Sequence, residues 1–257
     1  MAKISCCIDM MYSYCDFYDR FGEVKKSGIN TVEFWKWTNK DIGSIRNLLD
    51  SENMSVSVFN IDSANENLSY DLSRGILNAG RCDDFLKALS ESIPVYKKLK
   101  ASAMIVLIGE NAKYSEENVL KCLMAAKPIV EKEDVTLIIE PLNDIDRKNY
   151  SMPYAKPIFE LLKKVGSTNI KMLYDIYHQN MMGDFNLDEV LKNIDLIGHF
   201  HVADAPGRHE PGTGNVDYVS IIREINKTDY AGFIGLEYRS TKHDGETLGF
   251  LKEAENV

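Results

Sequence analysis

The chain has 257 residues and a formal net charge of −9, with acidic and basic residues mixed along its length. This length suits one α/β barrel with a large core, and the negative charge without a basic patch argues against a nucleic-acid partner. No segment approaches the roughly 18 uncharged apolar residues of a membrane-spanning helix, so we expect no membrane partner.

Short apolar or β-branched runs alternate with segments of helical period along the chain. Eight such runs predict strands: Lys3 to Asp9, Thr31 to Trp35, Ser55 to Ile61, Ala103 to Ile108, Val135 to Glu140, Ile170 to Tyr177, Leu196 to Ala203 and Gly232 to Tyr238. Strict alternation of eight strands with helices is typical of a (β/α)8 or TIM barrel. We therefore predict an α/β fold with residues 1–257 in a single domain.

The longest connection between predicted elements runs from Asp62 to Ser73 and follows the third strand. Its polar composition leaves two interpretations open. The segment either forms a lid over the mouth of the barrel or makes a plain excursion over the surface.

The cysteines indicate the redox state and the compartment. They are Cys6, Cys7, Cys15, Cys82 and Cys122. Their number is odd, none forms a CxxC pair, and none precedes a histidine cluster at zinc-ribbon spacing, so we expect reduced thiols. The N-terminal segment meets Asp9 after a short apolar run, which favours a first strand over a signal peptide. Together these features predict a cytoplasmic protein.

Four of the predicted strands end in residues that bind hard metal ions. Glu140, Asp175, His201 and Glu237 close the fifth, sixth, seventh and eighth strands. Active sites of such barrels lie at the carboxyl ends of the strands. A single carboxylate there is more typical of a solvated side chain or a helix N-cap, but four potential metal ligands on neighbouring strands indicate a common site.

Three carboxylates beside one imidazole in an apolar mouth would repel one another unless a cation neutralised them. The four residues therefore predict one bound divalent metal ion. The set is rich in oxygen and contains no thiolate, which favours Mn²⁺, Mg²⁺ or Co²⁺, although Zn²⁺ can compete by affinity.

Other polar and aromatic residues near the predicted strand ends are weaker candidates. His178 follows Asp175 at the turn after strand six, where it can face a substrate hydroxyl or be a simple loop histidine. His199 points the same way as His201 but one layer deeper, and we interpret it as a residue behind the ligands or in the core and not as a ligand itself. Trp35 predicts an aromatic wall for a sugar-like ligand, with core packing as the alternative. The remaining candidates are Glu33 inside the barrel, Trp37 at the mouth, Glu110 at the rim, and His209 and His243 in loops.

Several motifs resemble those of a known superfamily. They are EPLN at 140–143, YDIYH at 174–178, HVADAPGRHEPGTG at 201–214 and GLEY at 235–238. These motifs resemble those of the xylose-isomerase-like barrel superfamily. Within it, they are most similar to those of the hydroxypyruvate isomerases and related sugar isomerases. The resemblance covers nearly the whole chain, and the run ADAPGRHEPGTG is its most specific part.

The resemblance implies Glu140, Asp175, His201 and Glu237 as metal ligands, with Glu140 and Glu237 also acting as the acid and base. It further implies that His178 and Arg208 hold substrate oxygens. The chemistry is the movement of a carbonyl between adjacent carbons through an enediolate, which a metal ion stabilises as a Lewis acid. Relatives of this kind commonly form homo-oligomers. His201 stands where hydroxypyruvate isomerases tend to carry Gln and 3-epimerases carry His.

Two other functions remain open at this point. A ketose 3-epimerase would use the same metal site on a neutral sugar, whereas Arg208 offers a planar fork to the carboxylate of a keto acid. An AP endonuclease would need a basic face and histidines in the early strands, and the first four predicted strands contain none. We therefore favour a keto-acid isomerase of the hydroxypyruvate and tartronate semialdehyde type.

Overall fold

The structure, a computed structural model, describes residues 2–110 and 116–255 and contains a closed barrel of eight parallel strands in sequence order. The strands are β1 (Lys3–Cys7), β2 (Thr31–Phe34), β3 (Ser55–Asn60), β4 (Ala103–Leu107), β5 (Leu137–Glu140), β6 (Ile170–Asp175), β7 (Ile197–Val202) and β8 (Phe233–Leu236). β8 pairs with β1 and closes the ring. The prediction of a TIM barrel is confirmed.

Helices surround the barrel and connect its strands. In the described part of the chain they are α1 (Arg20–Lys26), α2 (Ile42–Glu52), α3 (Glu66–Leu72), α4 (Cys82–Leu99), α5 (Glu116–Glu133), α6 (Ala155–Val165), α7 (Ile176–Met181), α8 (Leu187–Lys192), α9 (Tyr218–Asn226) and α10 (Gly249–Glu255). Two short 3-10 helices span Ile194–Leu196 and Asp244–Thr247. No helix among these is long and apolar enough to cross a membrane.

The strands form the wall of the core because both of their faces are covered. Every residue of β2, β4 and β5 is buried, as expected for parallel strands that lie between helices and a filled barrel interior. Because all eight strands are parallel, their carboxyl ends meet at one rim. This rim is where the predicted site residues come together.

The predicted strand ends differ from the structure at two places that matter for the site. Strand six was expected to continue to Tyr177, but β6 ends at Asp175, whose side chain accepts a hydrogen bond from the His178 N–H and caps α7. Strand eight was expected to reach Tyr238, but β8 ends at Leu236. Glu237 is therefore the first residue after its strand and not its last.

The prediction that all five cysteines are reduced is wrong. Cys82 and Cys122 form a disulfide, while Cys6, Cys7 and Cys15 are free. The two bonded residues lie on α4 and α5, which pack against each other outside the barrel. They are 40 residues apart in the sequence, so their spacing could not indicate the pairing. The cytoplasmic location loses this supporting argument and stays a prediction.

The segment from Asp62 to Ser73 does more than cross the surface. It contains α3, whose N-cap Asn65 accepts a hydrogen bond from the Leu68 N–H. Four residues of the segment line the main cavity at the mouth of the barrel: Asp62, Ser69, Leu72 and Ser73. The segment therefore forms one wall of this cavity.

Candidate active site

The structure brings together the four residues that the strand ends predict. Glu140 ends β5, Asp175 ends β6, His201 lies near the end of β7, and Glu237 follows β8. One ligand atom from each of the four lies within 4.8 Å of the others, and all four side chains are buried. This acidic cluster could hold a metal ion, because buried carboxylates of like charge need a cation to compensate them.

The imidazole of His201 connects the cluster to the layer beneath it. Its Nδ1 lies 3.5 Å from Oε1 of Glu140 and 3.3 Å from Oε2 of Glu237. Its Nε2 lies 2.9 Å from Oε1 of Glu33. Burial lowers the pKa of His201, but the carboxylates of Glu237 and Glu33 outweigh this effect and raise that pKa well above its usual value.

Arg208 supplies a positive charge to the same cluster. Its guanidinium forms an ion pair with Glu237 and lies 3.5 Å from Oδ2 of Asp175. It also lies over the ring of Tyr177, 5.2 Å from the ring centre, an arrangement that favours a cation. Arg208, which was expected to hold substrate oxygens, is thus paired with the carboxylates of Glu237 and Asp175.

The pKa values of Asp175 and Glu237 shift in opposite directions, because burial outweighs the nearby positive charges at Asp175 but not at Glu237. Burial raises the pKa of Asp175 to about 7, against the opposing effects of Arg208 and His201. Burial also raises the pKa of Glu237, but Arg208 and His201 outweigh it and hold that pKa well below its usual value. Glu237 is therefore ionised at neutral pH.

His178 is a buried, uncharged imidazole beside the cluster. Its Nδ1 accepts a hydrogen bond of 3.1 Å from the backbone N–H of Asn143, which places the ring proton on Nε2. That Nε2 lies 3.4 Å from Oδ2 of Asp175. Burial lowers the pKa of His178 well below its usual value, so the ring carries no charge at neutral pH.

A cavity of about 420 Å³ opens at the mouth of the barrel, and Glu140, Glu237, His178 and Arg208 line it. Trp35 forms part of its wall and is 40% exposed. The Trp35 indole Nε1 donates a hydrogen bond of 2.8 Å to Oε1 of Glu237. Trp35 therefore presents an aromatic surface to the cavity and at the same time holds one of the cluster carboxylates.

Comparison with known proteins identifies the family. A family model for the xylose isomerase-like TIM barrel matches residues 21–254. The chain belongs to this family. The resemblance inferred from the sequence motifs is thereby confirmed.

Relatives that match this xylose isomerase-like barrel over nearly its full length are isomerases by name, as the sequence predicts. Hydroxypyruvate isomerase of Escherichia coli (strain K12) is 29% identical, with 93% of this chain and 94% of the relative covered. The 2-oxo-tetronate isomerase of Cupriavidus necator is 28% identical, with 98% of each chain covered.

Solved structures of the same fold are less similar in sequence to this chain than the two isomerases are. A structure described as AP endonuclease, family 2, from Brucella melitensis has a TM-score of 0.89 at 22% identity, with 98% of each chain covered. D-allulose 3-epimerase from Methylomonas sp. has a TM-score of 0.73 at 18% identity, with 98% of this chain and 97% of that chain covered. These likenesses show the fold alone.

The lower layer of this xylose isomerase-like barrel contains contacts that sequence reasoning did not specify. Glu33 was placed inside the barrel without partners, but its carboxylate accepts hydrogen bonds from the hydroxyls of Ser5, at 2.7 Å, and Ser57, at 2.9 Å. Its Oε2 also lies 3.0 Å from Nε2 of His199. The alternation of Glu33 with Trp35 in the second strand was the one available signal.

The remaining candidates lie away from the cluster. Trp37 was expected at the mouth, but its Nε1 donates a hydrogen bond of 3.0 Å to Ser92 on α4. Glu110 is at the rim as expected, where it forms ion pairs with Arg74 and Arg147. The histidines of the loops are also outside the cavity lining: His209 contacts the carbonyl of Arg239, and His243 packs near Tyr14.

Proposed function

We propose that the protein is a metal-dependent keto-acid isomerase that moves a carbonyl between adjacent carbons of a small hydroxylated keto acid. The observation that carries the proposal is the buried cluster of Glu140, Asp175, His201 and Glu237, two of which, Glu140 and Glu237, line the cavity at the mouth of the barrel. The names of the relatives, hydroxypyruvate isomerase and 2-oxo-tetronate isomerase, support the substrate class.

The chemistry of the donor set supports one divalent cation at the cluster. Three carboxylates and an imidazole converge there, and both ring nitrogens of His201 are buried without a hydrogen-bond partner among the described residues. Such a set suits Mn²⁺, Mg²⁺ or Co²⁺, with Zn²⁺ as a competitor. When bound, the ion supplies Lewis-acid stabilisation of negative charge on the two adjacent substrate oxygens.

Glu140 and Glu237 are the proposed acid and base. Isomerisation removes a proton from a carbon beside the carbonyl and returns it to the neighbouring carbon, which requires an ionised carboxylate at the reacting carbons. Glu237 is ionised at neutral pH because of Arg208 and His201. Trp35 orients Glu237 by its indole hydrogen bond.

We assign substrate binding to His178, Arg208 and Trp35, with His178 and Arg208 holding substrate oxygens. His178 carries its proton on Nε2 beside Asp175 and lines the cavity, so it can donate to a substrate oxygen. The guanidinium of Arg208 has a planar array of donors that suits a carboxylate. The exposed face of Trp35 covers the carbon chain.

Metal-dependent turnover on a substrate panel tests the proposal. Chelator-treated protein, with and without added Mn²⁺, is incubated with hydroxypyruvate, 2-oxo-tetronate and free ketoses, and chiral chromatography resolves the products. We expect conversion of the keto acids only when metal is present. Turnover of free ketoses alone would assign the chain as an epimerase, and turnover of nothing on the panel would contradict the proposal.

A further inference from the structure

A buried carboxylate lies directly beneath the acidic cluster and takes no part in the proposed chemistry. Glu33, in β2, is 1% exposed. The Ser5 and Ser57 hydroxyls donate hydrogen bonds to its Oε2. A buried charge is strongly destabilising unless it is paired and hydrogen-bonded, so these contacts, together with the two histidines beside it, account for its presence there.

The two histidines of β7 contact opposite oxygens of this carboxylate. Oε2 of Glu33 lies 3.0 Å from Nε2 of His199, and Oε1 lies 2.9 Å from Nε2 of His201. The Nδ1 of His201 faces Glu140 and Glu237 on the other side of the ring. The imidazole of His201 therefore lies between the carboxylate of Glu33 and the carboxylates of Glu140 and Glu237.

The barrel leaves space for this arrangement at one glycine. Gly235 on β8 pairs with His201 across the strands. A Cβ atom at Gly235 would lie 2.5 Å from Oε1 of Glu33 and 2.7 Å from Nε2 of His199. Any side chain at this position would displace the contact between the carboxylate and the histidines.

We propose that Glu33 is a positioning residue that fixes the ring of His201 so that, when the site holds a metal ion, the ring proton is on Nε2 and the Nδ1 lone pair faces the carboxylates of Glu140 and Glu237. This inference rests on the proposed metal site. The partner of the second ring nitrogen sets the tautomer and orientation of a metal-binding histidine, and removal of such a partner typically lowers metal affinity about 10- to 100-fold. Glu33 acts only through His201 and does not touch the substrate.

Titration calorimetry with Mn²⁺ on chelator-treated protein tests this role without any substrate. Glu33→Gln keeps the size of the side chain but removes its charge, and we expect about 10- to 100-fold weaker Mn²⁺ binding. Glu110→Gln is the matched control, because Glu110 is also nearly buried but pairs with Arg74 and Arg147 at the rim. We expect this control to bind Mn²⁺ as the wild type does.

Two results of the titration would overturn the inference. Wild-type affinity in a folded Glu33→Gln protein would show that Glu33 only supports the fold. Two Mn²⁺ ions per wild-type chain would show that Glu33, His199 and His201 hold an ion of their own, since these three residues also form a group with ligand atoms close together.

A spectroscopic measurement on the wild type covers the case in which Glu33→Gln does not fold. In ¹⁵N-histidine NMR of the Zn²⁺-loaded protein, we expect the His201 proton on Nε2, and a proton on Nδ1 would overturn the inference. The Mn²⁺ titration of the wild type distinguishes a failure of this inference from a failure of the proposed function. If the wild type binds no divalent ion, the metal site and this inference both fail, whereas normal binding that is insensitive to Glu33 removes only the inference.

Discussion

The two halves of the barrel mouth differ in what their residues contact. On the side of β5 to β8, charged side chains converge on one another and are paired within the cluster. On the side of β2 and β3, Trp35 and Lys36 face the cavity from the loop after the strand, and the ammonium of Lys36 contacts Ser69 of α3 at 3.0 Å. The cluster of the first half lies at strand ends and directly after them, whereas Trp35 and Lys36 of the second half extend from a loop. The acidic cluster and the opposite wall of the cavity thus have different structural supports.

The largest effects are expected where the strand-end carboxylates are changed. Glu140→Gln and Glu237→Gln should each lower kcat by about 100-fold or more, because in the proposed mechanism each removes both a proton-transfer group and an anionic ligand. Steady-state kinetics at saturating metal measures this. A variant that binds metal and turns over at the wild-type rate would remove that residue from the acid-base pair.

His178, in the helix after β6, belongs to the half with the acidic cluster, and its loss should affect turnover without affecting metal content. In His178→Asn the neutral ring that donates from Nε2 is lost, so we expect a higher KM or a lower kcat. Metal analysis of the purified variant should still give the wild-type content. If the variant loses its metal, His178 is a ligand and the four-residue site is incomplete.

Arg208 should discriminate charged from neutral substrates. Arg208→Lys keeps the positive charge near Glu237 but loses the planar fork. We therefore expect kcat/KM for a keto acid to fall by a factor that corresponds to about 1 to 3 kcal/mol of transition-state stabilisation. Arg208→Ala should lower it further. Because Arg208 also keeps Glu237 ionised, kcat/KM for a neutral ketose should fall as well, but by less. Equal losses on both substrate classes would instead indicate that Arg208 acts through its ion pair with Glu237.

The smallest effect is expected on the loop side. Lys36→Met removes an ammonium that lines the cavity but keeps a side chain of similar length, so we expect a few-fold increase in KM with little change in kcat. The kinetics of a longer hydroxylated keto acid and of hydroxypyruvate can be compared directly. A large fall in kcat would place Lys36 with the reacting groups and weaken the contrast between the halves.

The sequence predicts the strand-end half of the site better than the loop half. Glu140, Asp175 and His201 follow from strand periodicity and from the rule that parallel strands present their ends at one rim. The partners of Arg208 and Glu33 could not be predicted, because they depend on side-chain directions across strands that are far apart in sequence. The position of Lys36 at the cavity could not be predicted from the sequence, since a lysine in a loop is typical of any solvated surface.

Metal dependence of keto-acid isomerisation tests the central claim most directly. Activity of chelator-treated protein on hydroxypyruvate or 2-oxo-tetronate is measured as Mn²⁺ is added in known amounts per chain. The acidic cluster predicts no activity without metal and a rate that reaches its maximum at one ion per chain. Full activity in excess chelator would contradict the assignment of Glu140, Asp175, His201 and Glu237 as a metal centre.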